Sequence, residues 1–219
     1  MAVKVELEYV NNKEGGNWSI SLGVSKIPGA TPYYHKIEAG SLLKLAPGKN
    51  YFRILYLIEG EVVFETCKEK YTYNERVCFV PGLEDELKVN ALSDTGILEI
   101  QWMMRKEDLI QLKKYNTLFP LITLYAESKQ YTDPNKSEKT ISRSIIEQRK
   151  IPRFATGSVE SYGYDIVQPH SHPTLDQFFF SFPENDMDLL VDGAKIPMPG
   201  NVFTYIPLGS DHGVEVYES

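Results

Sequence analysis

Four histidines occur in the 219-residue sequence, and three of them gather near its C-terminal end. His170-Ser171-His172 sets two imidazoles at i and i+2, which on a strand point to the same face. Asp176 and Gln177 follow closely. Further on, Pro207-Leu208-Gly209-Ser210-Asp211-His212 supplies a third imidazole behind a proline–glycine turn. Neutral imidazoles suit Zn, Fe, Ni, Cu and Mn as ligands. Asp176 and Tyr205 are the candidate proton shuttles. His35 has no partner motif and reads as a structural or surface histidine. In the run Phe178–Phe180, Phe179 shares the face of Gln177 and its two neighbours do not.

Such ligands need strands to carry them, and the sequence is rich in strand patterns. The stretch 3–10 alternates V-K-V-E-L-E-Y-V, a half-buried strand, and 11–17 with Gly15 and Gly16 reads as a turn or loop. Ser41–Leu45, Phe52–Ile58, Glu61–Thr66, Arg76–Val80, Glu86–Val89 and Ile97–Trp102 follow as short strands punctuated by Gly60, Pro81-Gly82 and Asp94-Thr95-Gly96. Glu107–Tyr115 and Leu118–Glu127 then carry apolar residues at helical spacing, with Pro120 early enough for a first helical turn. Asp133–Lys139 is a polar loop, and strand patterning resumes near Thr156.

The two β regions repeat one another. Cys67–Pro81 sits over Gly193–Pro207 without a gap, which sets Asn74 on Gly200, Leu83 on Gly209 and Glu86 on His212. The first-repeat positions that match the paired histidines fall within Leu45–Lys49, where no histidine stands, and Phe52 or Arg53 takes the place of Gln177. The first repeat cannot build a histidine metal site. It also runs on past Glu86 through Ile97–Trp102, whereas the second stops at Ser219. The second repeat thus lacks a closing strand, and the N-terminal strand or a strand from a second subunit is expected to cover the exposed edge.

The order Gly163, His170, His172, Gln177, Gly200, Pro207, Gly209, His212 resembles the two motifs of the cupin superfamily. In that family the motifs lie on a small jelly-roll barrel and their histidines, with the acid or amide, converge on one metal inside it. The resemblance implies that His170, His172 and His212 with the Gln177 amide hold one divalent transition metal (Zn, Fe, Ni or Mn), with a position open for water or substrate. Asp176 competes with Gln177 for the fourth place, because a one-residue slip of register turns Gln177 outward. The resemblance implies a mainly β fold of two tandem jelly-roll (cupin) barrels joined by a partly helical connector. Its parts would be 1–104 without metal ligands, a connector over 105–150, and a metal-binding barrel over 151–219. Gln177 departs from the more usual glutamate, though some cupins use glutamine there. The activities implied are those of isomerases, cyclases, lyases or dioxygenases acting on a small, anionic or carbonyl/enol substrate. A non-catalytic ligand-binding or sensing bicupin is the alternative.

Composition bounds the rest. A net charge of -7 gives no basic footprint for nucleic acid, and no apolar run reaches the ~18 residues of a membrane span. The start MAVKVELEYV lacks the basic-then-apolar pattern of a signal peptide. A cytoplasmic homodimer with Cys67 and Cys78 as reduced thiols is the expectation.

Overall fold

The computed structural model describes residues 5–10, 15–23 and 26–217. The first residues of the strand expected at 3–10, and 11–14 of the loop after it, lie outside the described residues. The chain is mainly β with one short helix. Its strands begin with β1 (Leu7–Tyr9), β2 (Trp18–Ser21), β3 (Ala30–Ile37), β4 (Leu42–Leu45) and β5 (Tyr51–Glu59). Next come β6 (Val62–Glu65), β7 (Lys70–Tyr73), β8 (Val77–Val80), β9 (Leu87–Ala91) and β10 (Thr95–Met103). The helix α1 (Asp108–Lys114) precedes β11 (Leu121–Leu124), β12 (Lys129–Tyr131), β13 (Thr140–Ile151) and β14 (Phe154–Ser161). The last strands are β15 (Asp165–His170), β16 (Gln177–Ser181), β17 (Asp186–Val191), β18 (Ala194–Pro199), β19 (Val202–Ile206) and β20 (His212–Val216).

The chain divides into two compact units. One takes β1, Gln130–Arg143 and everything from Ser158 on; the other takes the stretch up to Lys129 together with Ser144–Gly157. In the second of these, β11-β8-β5-β10-β3-β2 form one sheet and β4-β9-β6-β7 another. In the first, the orders are β1-β19-β16 and β15-β20-β17-β18. The four-stranded sheets match strand for strand, and β1-β19-β16 matches β11-β8-β5. The strands β12, β13 and β14 make a further sheet.

Apolar alternation explains these sheets. On β5 and β10 the residues Leu55, Leu57 and Ile97 face a core with Phe64, Phe79, Leu87 and Val89. In the histidine-bearing unit the core is smaller: Leu189, Val191, Met198, Val202 and Ile206, with Leu7 of β1 packed against them. β1 runs antiparallel to β19, Leu7 opposite Thr204 and Tyr9 opposite Val202. The N-terminal strand thus enters the C-terminal sheet, but beside β19, in the place that β11 takes beside β8. The second edge of β16 has no strand partner among the described residues.

Two expectations need correction. Leu118–Glu127 is not a helix: β11 pairs with β8, Leu121 opposite Val80 and Leu124 opposite Val77. Its leucines and isoleucine satisfy helical spacing, but the unpaired edge of β8 offers backbone partners that an isolated short helix cannot match. The connector expected over 105–150 is helical only at α1, and much of the remainder is strand. Cys67 is an exposed free thiol and Cys78 a buried one, whose ionisation burial strongly opposes. Among the described residues no helix is long and apolar enough to cross a membrane.

Candidate metal centre

The three histidines come together. Their ligand nitrogens all lie within 4.8 Å of one another, and the ring centroids are 5.0 Å apart for His170–His172, 5.2 Å for His170–His212 and 5.4 Å for His172–His212. His170 ends β15 and His212 begins β20, and the two are directly paired across an irregularity in the register after Val167. His172 lies just beyond β15. The i, i+2 placement read from the sequence brings both rings to one spot even though the strand ends between them.

Two local devices set these rings. Ser210 N–H donates to the Pro207 carbonyl at 3.0 Å, closing the turn ahead of His212. Gly209 takes φ +79° there, a conformation that a side chain disfavours and a type II turn needs at its third residue. Gly213, directly after His212, has no room for a side chain: a Cβ would lie 2.3 Å from the Val167 carbonyl oxygen and 3.0 Å from the Pro169 nitrogen. That close approach of β20 to β15 is what puts His212 opposite His170. Asp211 N–H also donates to Asp192 Oδ1 at 2.9 Å, tying the turn to the β17–β18 hairpin.

Hydrogen bonds fix the tautomers. His170 Nδ1 lies 2.9 Å from the Gln168 carbonyl, and His212 Nδ1 lies 3.0 Å from the Ser210 carbonyl. A carbonyl only accepts, so Nδ1 carries the proton and the Nε2 lone pair is left for a ligand. This is the outer support that metal-binding imidazoles use. Burial lowers the affinity of His212 for a proton, and its two histidine neighbours lower it further. His172 is likewise shifted down by burial, by His170 and by Lys136, against a contrary pull from Asp133. Both rings are therefore neutral at neutral pH. His212 is buried while His170 and His172 are half-buried, so the cluster has a floor and an accessible side.

The remaining sequence candidates divide by strand face. Phe179 sits with its ring 5.6 Å from that of His212. Gln177, two residues earlier on β16 and opposite Ile206 of the core, shares that face. The alternate face carries Phe178, against Phe203 at 4.9 Å and Tyr205 at 6.0 Å. The Tyr205 hydroxyl donates to Asp176 at 2.9 Å on that side. Gln177 is thus on the histidine side of the sheet, and Asp176 and Tyr205 are not brought to the histidines. Gly213, the carbonyls of Gln168 and Ser210, and the loop bearing Asp133 and Lys136 were not singled out from the sequence; only Gly213, adjacent to His212, left a local signal.

Solved structures were compared with this architecture. An oxalate decarboxylase, described for its substrate binding mode and a reaction specificity switch, matches at TM-score 0.74 and 12% identity, over 100% of this chain and 76% of its own. A cupin 2 conserved barrel domain protein from Leptotrichia buccalis matches at 0.65 and 14%, over 98% and 92%. The fold is that of the cupins. Another cupin match is the Bacillus subtilis oxalate decarboxylase described for its Mn(II) centres, at 0.69 and 11%, over 99% and 74%. At these identities the likeness is one of fold alone. No family model and no curated protein matches the sequence.

Proposed function

We propose that this cupin-fold chain is a duplicated barrel protein whose C-terminal unit binds one divalent transition metal through Nε2 of His170, His172 and His212, with the Gln177 amide as fourth ligand. The observation that carries this is the convergence of three imidazoles, two of them locked by backbone carbonyls with Nε2 free. The matching strand orders of the two units support the duplication, and the absence of a matching histidine set in the first repeat assigns the metal to the second.

A bound metal there supplies a Lewis acid that polarises a carbonyl or enolate oxygen of a small, anionic or carbonyl/enol substrate. The chain's own part is to bring three imidazoles to one point, to keep an accessible side beside His170 and His172, and to wall the buried side with Phe179. Gln177 is neutral, so the site keeps more positive charge than a glutamate would leave it. That favours isomerase, cyclase or lyase chemistry on an oxyanion over dioxygen chemistry. The likeness to oxalate decarboxylases adds a small carboxylate to the substrates worth trying and favours manganese among the metals already named. The unpaired edge of β16 is where a second subunit of the expected homodimer would pair.

The second reading is a ligand-binding or sensing bicupin. It is favoured by Asp176 and Tyr205 being hydrogen-bonded to one another, with Tyr205 beside Phe178 on the sheet face away from Phe179. The first test is elemental mass spectrometry on wild type and His172→Ala, purified without chelator. Near-stoichiometric metal in the first and its loss in the second is the expected result. No metal in either, even after reconstitution with Mn, Fe, Ni or Zn, overturns the metal assignment. Turnover against carboxylate, carbonyl and enol panels then separates enzyme from sensor.

A further inference from the structure

At the edge of the six-stranded sheet, side chains from three strands form one hydrogen-bonded line. β2 is the edge strand, next to β3, and Ser19 stands directly opposite His35. Ser19 Oγ lies 2.7 Å from His35 Nδ1, and His35 Nε2 lies 2.7 Å from Glu99 Oε2 on β10. The Arg53 guanidinium and the Gln101 amide, the latter at 2.8 Å, hold the other Glu99 oxygen. Glu99 and His35 are buried, whereas Ser19 is exposed. A carboxylate only accepts, so Nε2 of the neutral ring carries the proton. The Nδ1 lone pair then faces the Ser19 hydroxyl, which donates to it.

The ladder accounts for the close approach. Leu22 N–H donates to the Pro32 carbonyl at 2.9 Å, and Ile20 stands opposite Tyr34. The hydrogen-bonded pairs therefore fall at Leu22 and Ile20. Ser19 and His35 form a non-hydrogen-bonded pair, the kind whose side chains are closer. The same alternation turns the Ser19 N–H to the open edge of β2, where no strand pairs among the described residues. Tyr33, half-buried, stacks on His35 at 6.2 Å and sets an aromatic wall beside the line.

We propose that Ser19 is an activated nucleophile toward small esters, with His35 as its general base and Glu99 as the group that orients the ring. This goes beyond the metal assignment and does not depend on it. Ser19 Oγ bonds the ester carbonyl carbon as its proton passes to His35 Nδ1, and the Ser19 N–H donates to the oxyanion. The carbon–alkoxy bond then breaks, and the departing alkoxide takes that proton. Water, deprotonated by the same nitrogen, releases the acid and restores the hydroxyl. An ordinary exposed serine is a weak nucleophile. A base within hydrogen-bond reach, itself fixed by a third group, sets this one apart.

Full-length protein treated with a fluorophosphonate tests this, because phosphorus bonds Oγ of an activated serine as fluoride leaves. Peptide mass spectrometry should find Ser19 labelled in preference to the other exposed serines, with or without chelator, and not after unfolding in urea. Turnover of p-nitrophenyl acetate should fall about a hundredfold in Ser19→Ala, with an unchanged thermal melt, and by as much in His35→Gln. Where His35→Gln fails to fold, Ser19→Cys keeps the test. Its thiol should react with iodoacetamide faster than the exposed Cys67 of the same molecule. A serine that only braces His35 predicts labelling no faster than at other serines and a new thiol no faster than Cys67. Either result overturns the nucleophile. Ester turnover that survives Ser19→Ala but is lost with chelator also overturns it, and assigns that chemistry to the histidine site.

Discussion

In the unit without the histidine cluster, Arg53, Glu99 and His35 fill the inward face of the sheet. Glu99 sits opposite Tyr33 and Leu55, and its β10 neighbours Ile97 and Gln101 face His35 and Arg53. Glu99 takes His35 Nε2 at 2.7 Å, the Gln101 amide at 2.8 Å and a short contact from the Arg53 guanidinium. Arg53 further donates to Tyr51 OH at 2.7 Å and the Ala46 carbonyl at 2.9 Å, and Ser19 Oγ meets His35 Nδ1 at 2.7 Å. Glu99 is 1% exposed, so each charge there is spent on another protein group. In the histidine unit, the ends of β15 and β20, in the sheet that matches β4-β9-β6-β7, leave three imidazoles facing one another with no carboxylate in the cluster among the described residues. A second proton among those rings is opposed by the first, whereas one shared divalent cation satisfies all three. Inward-facing polar side chains can thus close a barrel with internal ion pairs or keep it ready for a ligand, according to whether the charges cancel within the chain.

The largest effect that would break this contrast is on the closed side. Glu99→Ala leaves the Arg53 guanidinium buried without its carboxylate, and urea unfolding should show a loss of about 3–5 kcal/mol. Metal uptake by the histidine unit should be unchanged; a loss of metal in step with stability would mean that the two interiors are not independent.

Acid should act on the two interiors in order. His172 and His212 have proton affinities shifted down, so protons compete for the ligands only below the ordinary imidazole value of about 6.5. Metal content measured after dialysis should be flat from pH 8 to that point and fall below it. Burial raises the Glu99 pKa, but His35 and Arg53 outweigh it and the net shift is downward. A depressed carboxyl stabilises the fold above its unfolded value, about 4.3, and that stability is lost as pH falls through the folded one. Circular dichroism should therefore report unfolding of this unit only after metal has gone. Unfolding that precedes metal release would contradict the order.

The smallest change sharpens the open side. Gly213→Ala places a methyl against the Val167 carbonyl, costing about 1–3 kcal/mol as β15 and β20 part. The expected readout is weaker metal retention with little change in secondary structure. Full retention would show that the pairing of His170 with His212 does not set the site.

Much of the open side was legible before any coordinates, and the closed side was not. His170, His172 and His212 announce themselves by spacing, because a strand's alternation and a Pro-x-Gly turn are local rules. That Gln177 shares a strand face with Phe179 follows from the same alternation. Arg53, Glu99 and His35 sit on three separate strands with no shared motif, so only strand pairing assembles them. Leu121–Leu124 misled because four residues satisfy either period until a neighbouring edge decides between them.

The pairing of Leu7 with Thr204 also sets an order of assembly. Of these two strands β1 is made first, and it must wait for the long stretch between them before β19 arrives. Meanwhile all the strands of the other unit's two sheets become available, with partners near in sequence. Long-range closure is slow because its entropy must be lost before contacts reward it. During that wait β1 has no place in its sheet, and of the two units the histidine unit is the later to be completed.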